Sequence, residues 1–178
     1  MTDTISPFRI SEHAARIARI YDLGSDTAVD VAELVRALGG IIDVFAGAIE
    51  VERAVSGGHA LIVRGKGDFT VTLQPLTSSV HDRFEMAASV GRYLLHWRRL
   101  GLETKPAAER RREYPYGSGE GWTEGYHFAM ALLMPEDAFR RVHLEHGGDA
   151  VAIAGAFDVP TSKVSARASA LKLPLAPR

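Results

Sequence analysis

Cysteine is missing from this 178-residue chain, so disulfides, thiolate nucleophiles and cysteine-ligated zinc are all excluded. A net charge of -1 supplies no global field to draw the protein to nucleic acid or an anionic membrane, and any such partner would have to be met by a local patch. No apolar run approaches the roughly 20 residues that span a bilayer, and the start, "MTDTISPFRISEH", lacks a basic region followed by an apolar core. A cytoplasmic protein with no membrane partner is the expectation. What the chain does have is ordinary globular composition, 46% hydrophobic and 24% charged, enough for one well-cored domain with a small appendage. No internal repeat or low-complexity tract interrupts it.

Apolar residues at helical spacing (Ala14, Ile17, Ala18, Tyr21) predict a helix over Ser11 to Tyr21. "DTAVDVAELVRALGG" predicts a second, with Asp30 as N-cap and Gly39-Gly40 as its stop. Three β-branched runs, "IIDVFAGAI", "HALIVRG" and "DFTVTLQP", predict a small antiparallel sheet, with "RGKGD" as a hairpin turn. Helix returns from about His81 to Leu100. The segment "GLETKPAAERRREYPYGSGEGW" loses periodicity and reads as a long loop. "TEGYHFAMALLM" is a further core helix ending at Pro135, and "PEDAFRRVHLEHG" starts another with proline in its first turn. The tail, "DAVAIAGAFDVPTSKVSARASALKL", reads as helix, tight turn, helix.

Two of these segments carry a resemblance. "RFEMAASVGRYLLH" is similar, position for position, to the R-F-T-x-A-H-E-x-G-H-x-x-L-H helix of the ImmA/IrrE family of zinc-dependent metallopeptidases, and "EGYHFAMALLMP" resembles its E-A-N-x-F-A-x-x-L-L-M-P segment. The order of elements fits as well. The resemblance implies an α+β, mainly helical zincin-like domain over 1–147, with a small antiparallel sheet and a helix-turn-helix-like tail over 148–178 packed on it.

Where the family pattern has the two histidines and the glutamate of H-E-x-x-H, this chain has Ala88, Ser89 and Arg92. Histidines four apart on a helix reach one zinc ion and the intervening glutamate takes a proton from the metal-bound water. Alanine cannot coordinate, serine is a poor base at neutral pH, and arginine is a permanent cation. The expectation is a catalytically inactive protein without zinc. Glu124 falls on the third ligand position, where a lone carboxylate holds no zinc at useful affinity. An Arg92–Glu124 ion pair would replace the metal as the crosslink between the two helices. The plainer alternative has Arg92 reaching to solvent and Glu124 as an exposed acid near a helix start.

Other candidates are weaker. His96 and His127 could line the cleft, His127 being three residues after Glu124, but packing roles are the simpler reading for both. Ser89 lacks the base that a nucleophile needs. Arg110, Arg111, Arg112, Tyr114, Tyr116 and Trp122 combine residue types favoured at binding hot spots on one expected loop, against the alternative of a solvated lid. In the tail, Ser162, Lys163 and Arg167 are candidate DNA contacts, but Lys163, Arg167, Lys172 and Arg178 are a thin basic supply beside Asp149 and Asp158.

The resemblance implies regulatory company, because family members act on helix-turn-helix repressors in mobile elements, phage and stress responses. The leading expectation is therefore a protein that acts by binding such a repressor or transcription factor. A peptidase with a non-standard zinc site and a DNA-binding regulator acting through the tail are the alternatives.

Overall fold

The computed structural model describes residues 5–23, 29–44 and 59–177. The expected segments at 26–28 and 45–49, and Arg178, lie outside them. Among the described residues the fold is α+β, eight α-helices around one four-stranded sheet.

Helix α1 (Pro7–Ile20) starts a turn earlier than the periodicity indicates, because Ser6 accepts from the Arg9 amide and Pro7 occupies the first turn. Helix α2 (Val31–Ala37) begins at Asp30, whose side chain accepts from the Glu33 amide at 2.9 Å, and the chain turns through Gly39 at φ +85°. Strands β1 (Gly40–Val44), β2 (His59–Gly65) and β3 (Asp68–Leu73) follow, and β2 and β3 form the hairpin around Lys66-Gly67.

The sheet departs from expectation in two ways. Strand β1 pairs parallel to β3, so the sheet is mixed. The supposed loop contributes a fourth strand, β4 (Arg112–Pro115), antiparallel to β2, for an order β1-β3-β2-β4. Parallel pairing requires a crossover, which a run of β-branched residues does not announce. Strand β4 is four residues long and follows a one-turn helix, α4 (Ala107–Arg110), too short for any period to emerge.

Helix α3 (Ser79–Gly91) continues without a break into wider, π-type turns over Arg92–Trp97 and a 3₁₀ turn to Leu100. Helix α5 (Trp122–Leu133) crosses it, and α6 (Glu136–Glu145), α7 (Ala150–Phe157) and α8 (Thr161–Ala170) complete the chain. Ile153, Phe157, Val164 and Ala168 of α7 and α8 share the core of Phe84, Phe128 and Phe139, so the tail is packed into the domain. No described helix is long and apolar enough to cross a membrane.

The α3–α5 crossing is close because glycine stands on both sides. A Cβ on Gly91 would lie 2.6 Å from Phe128 Cβ and 2.9 Å from Gly125 Cα, and one on Gly125 would lie 2.5 Å from the Ala88 carbonyl. Backbone cannot yield as a flexible side-chain tip can. Gly91→Ala should therefore lower unfolding free energy by roughly 1–3 kcal/mol, the cost of overpacking a dense core. A urea titration checks this, and an unchanged midpoint would show that the crossing has slack.

Candidate functional site

The crossing brings Ala88, Ser89 and Arg92 of the α3 rod near the first turn of α5, where Glu124 sits, and all four are buried. The four positions thus share one region, but the expected pairing within it does not form. Arg92, only 2% exposed, lays its stem against Gly125 and turns its guanidinium to the chain between β4 and α5. Its Nη1 donates to the Pro115 carbonyl at 2.8 Å and its Nη2 to the Ser118 carbonyl at 3.0 Å. Glu124, 6% exposed, is met instead by Arg99, with Nη2 to Oε1 at 3.1 Å.

The Arg92–Glu124 ion pair is thus corrected to Arg99–Glu124, and the plainer alternative fails too, since neither Arg92 nor Glu124 reaches solvent. The physical reason is competition for the guanidinium: the Pro115 and Ser118 carbonyls take that of Arg92, and Arg99, seven residues further along the rod, meets the Glu124 carboxylate.

Burial pulls the Arg92 guanidinium below its ordinary pKa, and Glu85 opposes that pull. Half-buried Glu85 is itself raised by desolvation and held down by Arg92 and Lys163. Lys163 comes from α8. Its Nζ stands 4.4 Å from the Phe84 ring centre and 4.6 Å from that of Tyr126, an arrangement in which two ring faces receive one ammonium. Two cations from different parts of the chain, Arg92 and Lys163, thus act on the same carboxylate.

These groups do not fit a zinc ion. A methyl, a hydroxyl, a guanidinium and a carboxylate already bonded to arginine offer no second nitrogen or oxygen ligand of the required kind. Among the described residues no group of three histidine, aspartate or glutamate side chains is placed to hold a metal. Ser89 is 1% exposed and donates no hydrogen bond to a base among the described residues. The arrangement ties the α3 rod to the chain between β4 and α5 and to the first turn of α5.

His96 is a packing residue. It is buried, its Nδ1 lies 3.0 Å from the Tyr114 hydroxyl, and Gly121, at φ +66°, accommodates it, because a Cβ there would meet His96 Cβ at 2.6 Å. Burial lowers its pKa, with Glu120 and Glu124 opposing and Arg99 and Arg92 reinforcing. His127 is also lowered, by burial and then by Arg167, and it faces a groove beside α1.

The expected binding loop is largely tied down. Tyr114 is buried under His96, and the Tyr116 hydroxyl donates to the Thr72 carbonyl at 2.6 Å. The Arg110 carbonyl accepts from Trp97 Nε1 at 2.9 Å, and its guanidinium turns back to the Lys105 carbonyl. Trp122 leans on Tyr126, with ring centres 5.1 Å apart. Exposed Arg111 pairs with Glu113 at 2.5 Å, and Arg112 donates to the Arg111 carbonyl at 2.9 Å. A set of free hot-spot aromatics is therefore corrected to a strand whose Tyr114 faces inward, followed by a half-buried Tyr116 bonded to β3.

The tail candidates divide similarly. Ser162 is exposed, whereas Arg167 is 8% exposed with Nε donating to the Met134 carbonyl at 3.0 Å, and Lys163 lies over the two rings. As a DNA contact Arg167 is corrected, because its head is committed inside the fold, and half-buried Lys163 is held over the two rings. Sequence reasoning also missed Arg99, Glu85 and the Pro115 and Ser118 carbonyls. No local pattern marks them, because each acquires its role from a segment distant in the chain.

A family model described as the IrrE N-terminal-like domain, Peptidase_M78, matches residues 67–169, well over half of the chain. Its bounds fall in the β2–β3 turn and in α8. No curated protein matches the chain.

Two measurements check this geometry. Arg92→Met keeps much of the stem but leaves two carbonyls without their donor, and should cost roughly 2–4 kcal/mol in a urea titration, with faster proteolytic nicking between Tyr116 and Gly121. Wild-type stability in that variant would remove Arg92 as a crosslink. For His96 the folded pKa lies below the unfolded one, so the unfolded state binds more protons and stability drops as pH falls below about 6.5 toward the lowered value. The loss between about pH 7.5 and 5.5 should be smaller in His96→Gln, and equal losses would mean that His96 does not titrate in this way.

Proposed function

The chain belongs to the IrrE N-terminal-like (Peptidase_M78) domain family, and from that premise we propose that it is a non-catalytic member that works by binding a protein partner. The observation that carries the reading is the use of Arg92. In the family pattern its position holds a metal ligand, and here a buried guanidinium binds two backbone carbonyls. A divalent ion beside that guanidinium would meet a fixed positive charge at close range in a desolvated site. Ser89, at the position of the general base, cannot take a proton at neutral pH.

The partner we propose is a helix-turn-helix repressor or a related transcription factor, the class of protein on which the resemblance places family members. A fold that keeps the peptidase frame without its reacting groups can hold such a protein without cutting it. The internal use of Lys163 and Arg167 favours protein contact over DNA contact through the tail. The reading with a non-standard zinc site has less support, because His127 and Glu124 gather no third ligand among the described residues.

Elemental analysis tests the proposal, on protein purified without chelators or metal-affinity steps and alongside Glu124→Ala. Zinc far below one ion per chain in both samples is the expected result. Near-stoichiometric zinc in the wild type that is lost in Glu124→Ala would overturn the non-catalytic reading.

A further inference from the structure

We propose that the groove between α1 and the α5–α8 side of the domain is the docking site, and that its occupant is a basic amphipathic helix of the partner protein. This rests on the reading that the protein works by binding, and it names the surface and the chemistry.

The groove has a volume of about 650 Å³, within the range of ordinary ligand pockets and large enough for several aliphatic side chains. Its origin is in the sequence. Helix α1 buries Ile10 and Ala14 in the core, and alanines at 14, 15 and 18 of α1 and at 131 of α5 leave a trough where larger residues would fill it. Leu132 and Leu171 add apolar floor. Phe8 borders the trough and is 73% exposed, a large aromatic at the edge of an apolar depression, which is the residue type that anchors interfaces.

Charge complementarity selects the occupant. Glu12, Glu136 and Asp137 stand on the rim. Glu136 is paired with Arg140 at 2.7 Å, whereas Glu12 and Asp137 have no ion-pair partner among the described residues. The cation that lines the groove, Arg167, is buried and bonded to the Met134 carbonyl, and His127 is held toward its neutral form. An apolar floor beneath unpaired carboxylates fits an apolar stripe flanked by lysine or arginine. The walls are helices, with no strand edge to extend, so the occupant is a helix presenting residues at i, i+3, i+4 and i+7.

The test uses the full chain and a fluorescent designed helix of about five turns, with leucine on one face and lysine on the other. Its twin carries glutamate in place of lysine. Anisotropy should show binding of the Leu/Lys helix that weakens with salt, and at least about tenfold weaker binding of the Leu/Glu twin. Ala15→Trp, which fills the trough from an exposed position, and the double reversal Glu12→Lys with Asp137→Lys should each weaken binding by about tenfold or more. No binding, equal affinity for the two helices, or binding indifferent to Ala15→Trp would overturn the proposal. Sedimentation at several concentrations covers the competing occupant: a dimer that Ala15→Trp abolishes would assign the groove to a second copy and overturn it as well. Failure here with low zinc content would remove the groove and leave the non-catalytic reading in place, whereas stoichiometric zinc would remove that reading first.

Discussion

Helices α3 and α5 can touch backbone to backbone because Gly91 and Gly125 face each other at their crossing, and most of the site follows from that contact. The close approach brings the Ala88 carbonyl against α5 and leaves a passage over Gly125 through which the Arg92 stem runs. It also sets the first turn of α5 beside the far end of the α3 rod, where Arg99 meets Glu124. A pair of larger residues at the crossing would separate the helices, and the guanidinium of Arg92 would lose its reach to Pro115 and Ser118. The constraint is steric, and the electrostatics are arranged on top of it.

The chemistry that fills the site belongs to a wider habit of this chain. Three buried arginines donate chiefly to backbone carbonyls of segments remote in sequence. Arg83 donates to Val29, Phe157 and Asp158, Arg92 to Pro115 and Ser118, and Arg167 to Met134. A planar fork of five N–H groups can hold two segments at a defined angle, which a point charge cannot do. In this use arginine does what a structural metal does for other small domains, joining distant pieces of chain, but with donors aimed at carbonyls where a metal would gather ligands. Glu85, the one acid felt by both Arg92 and Lys163, tempers the charge that this leaves in the interior.

Much of the frame was legible. The hairpin at Lys66-Gly67, the Asp30 cap and the helix–turn–helix order of the tail follow from short-range rules about turns and caps. Burial of His96 against an aromatic ring likewise agrees with the simpler reading of that residue. The parallel β1–β3 pairing and strand β4 were not legible, since both depend on which strand lies beside which. The widening of the helix after Gly91 was equally invisible, as was the identity of the arginine that reaches Glu124.

The sequence by itself determined what the site is made of: alanine, serine and arginine where the family pattern has a histidine, a glutamate and a second histidine, and with them the absence of that pattern's donors from these positions. Side-chain identity alone carries that conclusion, because no packing can give a methyl group a lone pair. Tertiary structure decided where each charge goes. A guanidinium or ammonium finds its partner through space, and Arg92, Arg99, Lys163 and Arg167 each found theirs on an element distant in the chain, at distances that only the packed helices and the returning strand could set.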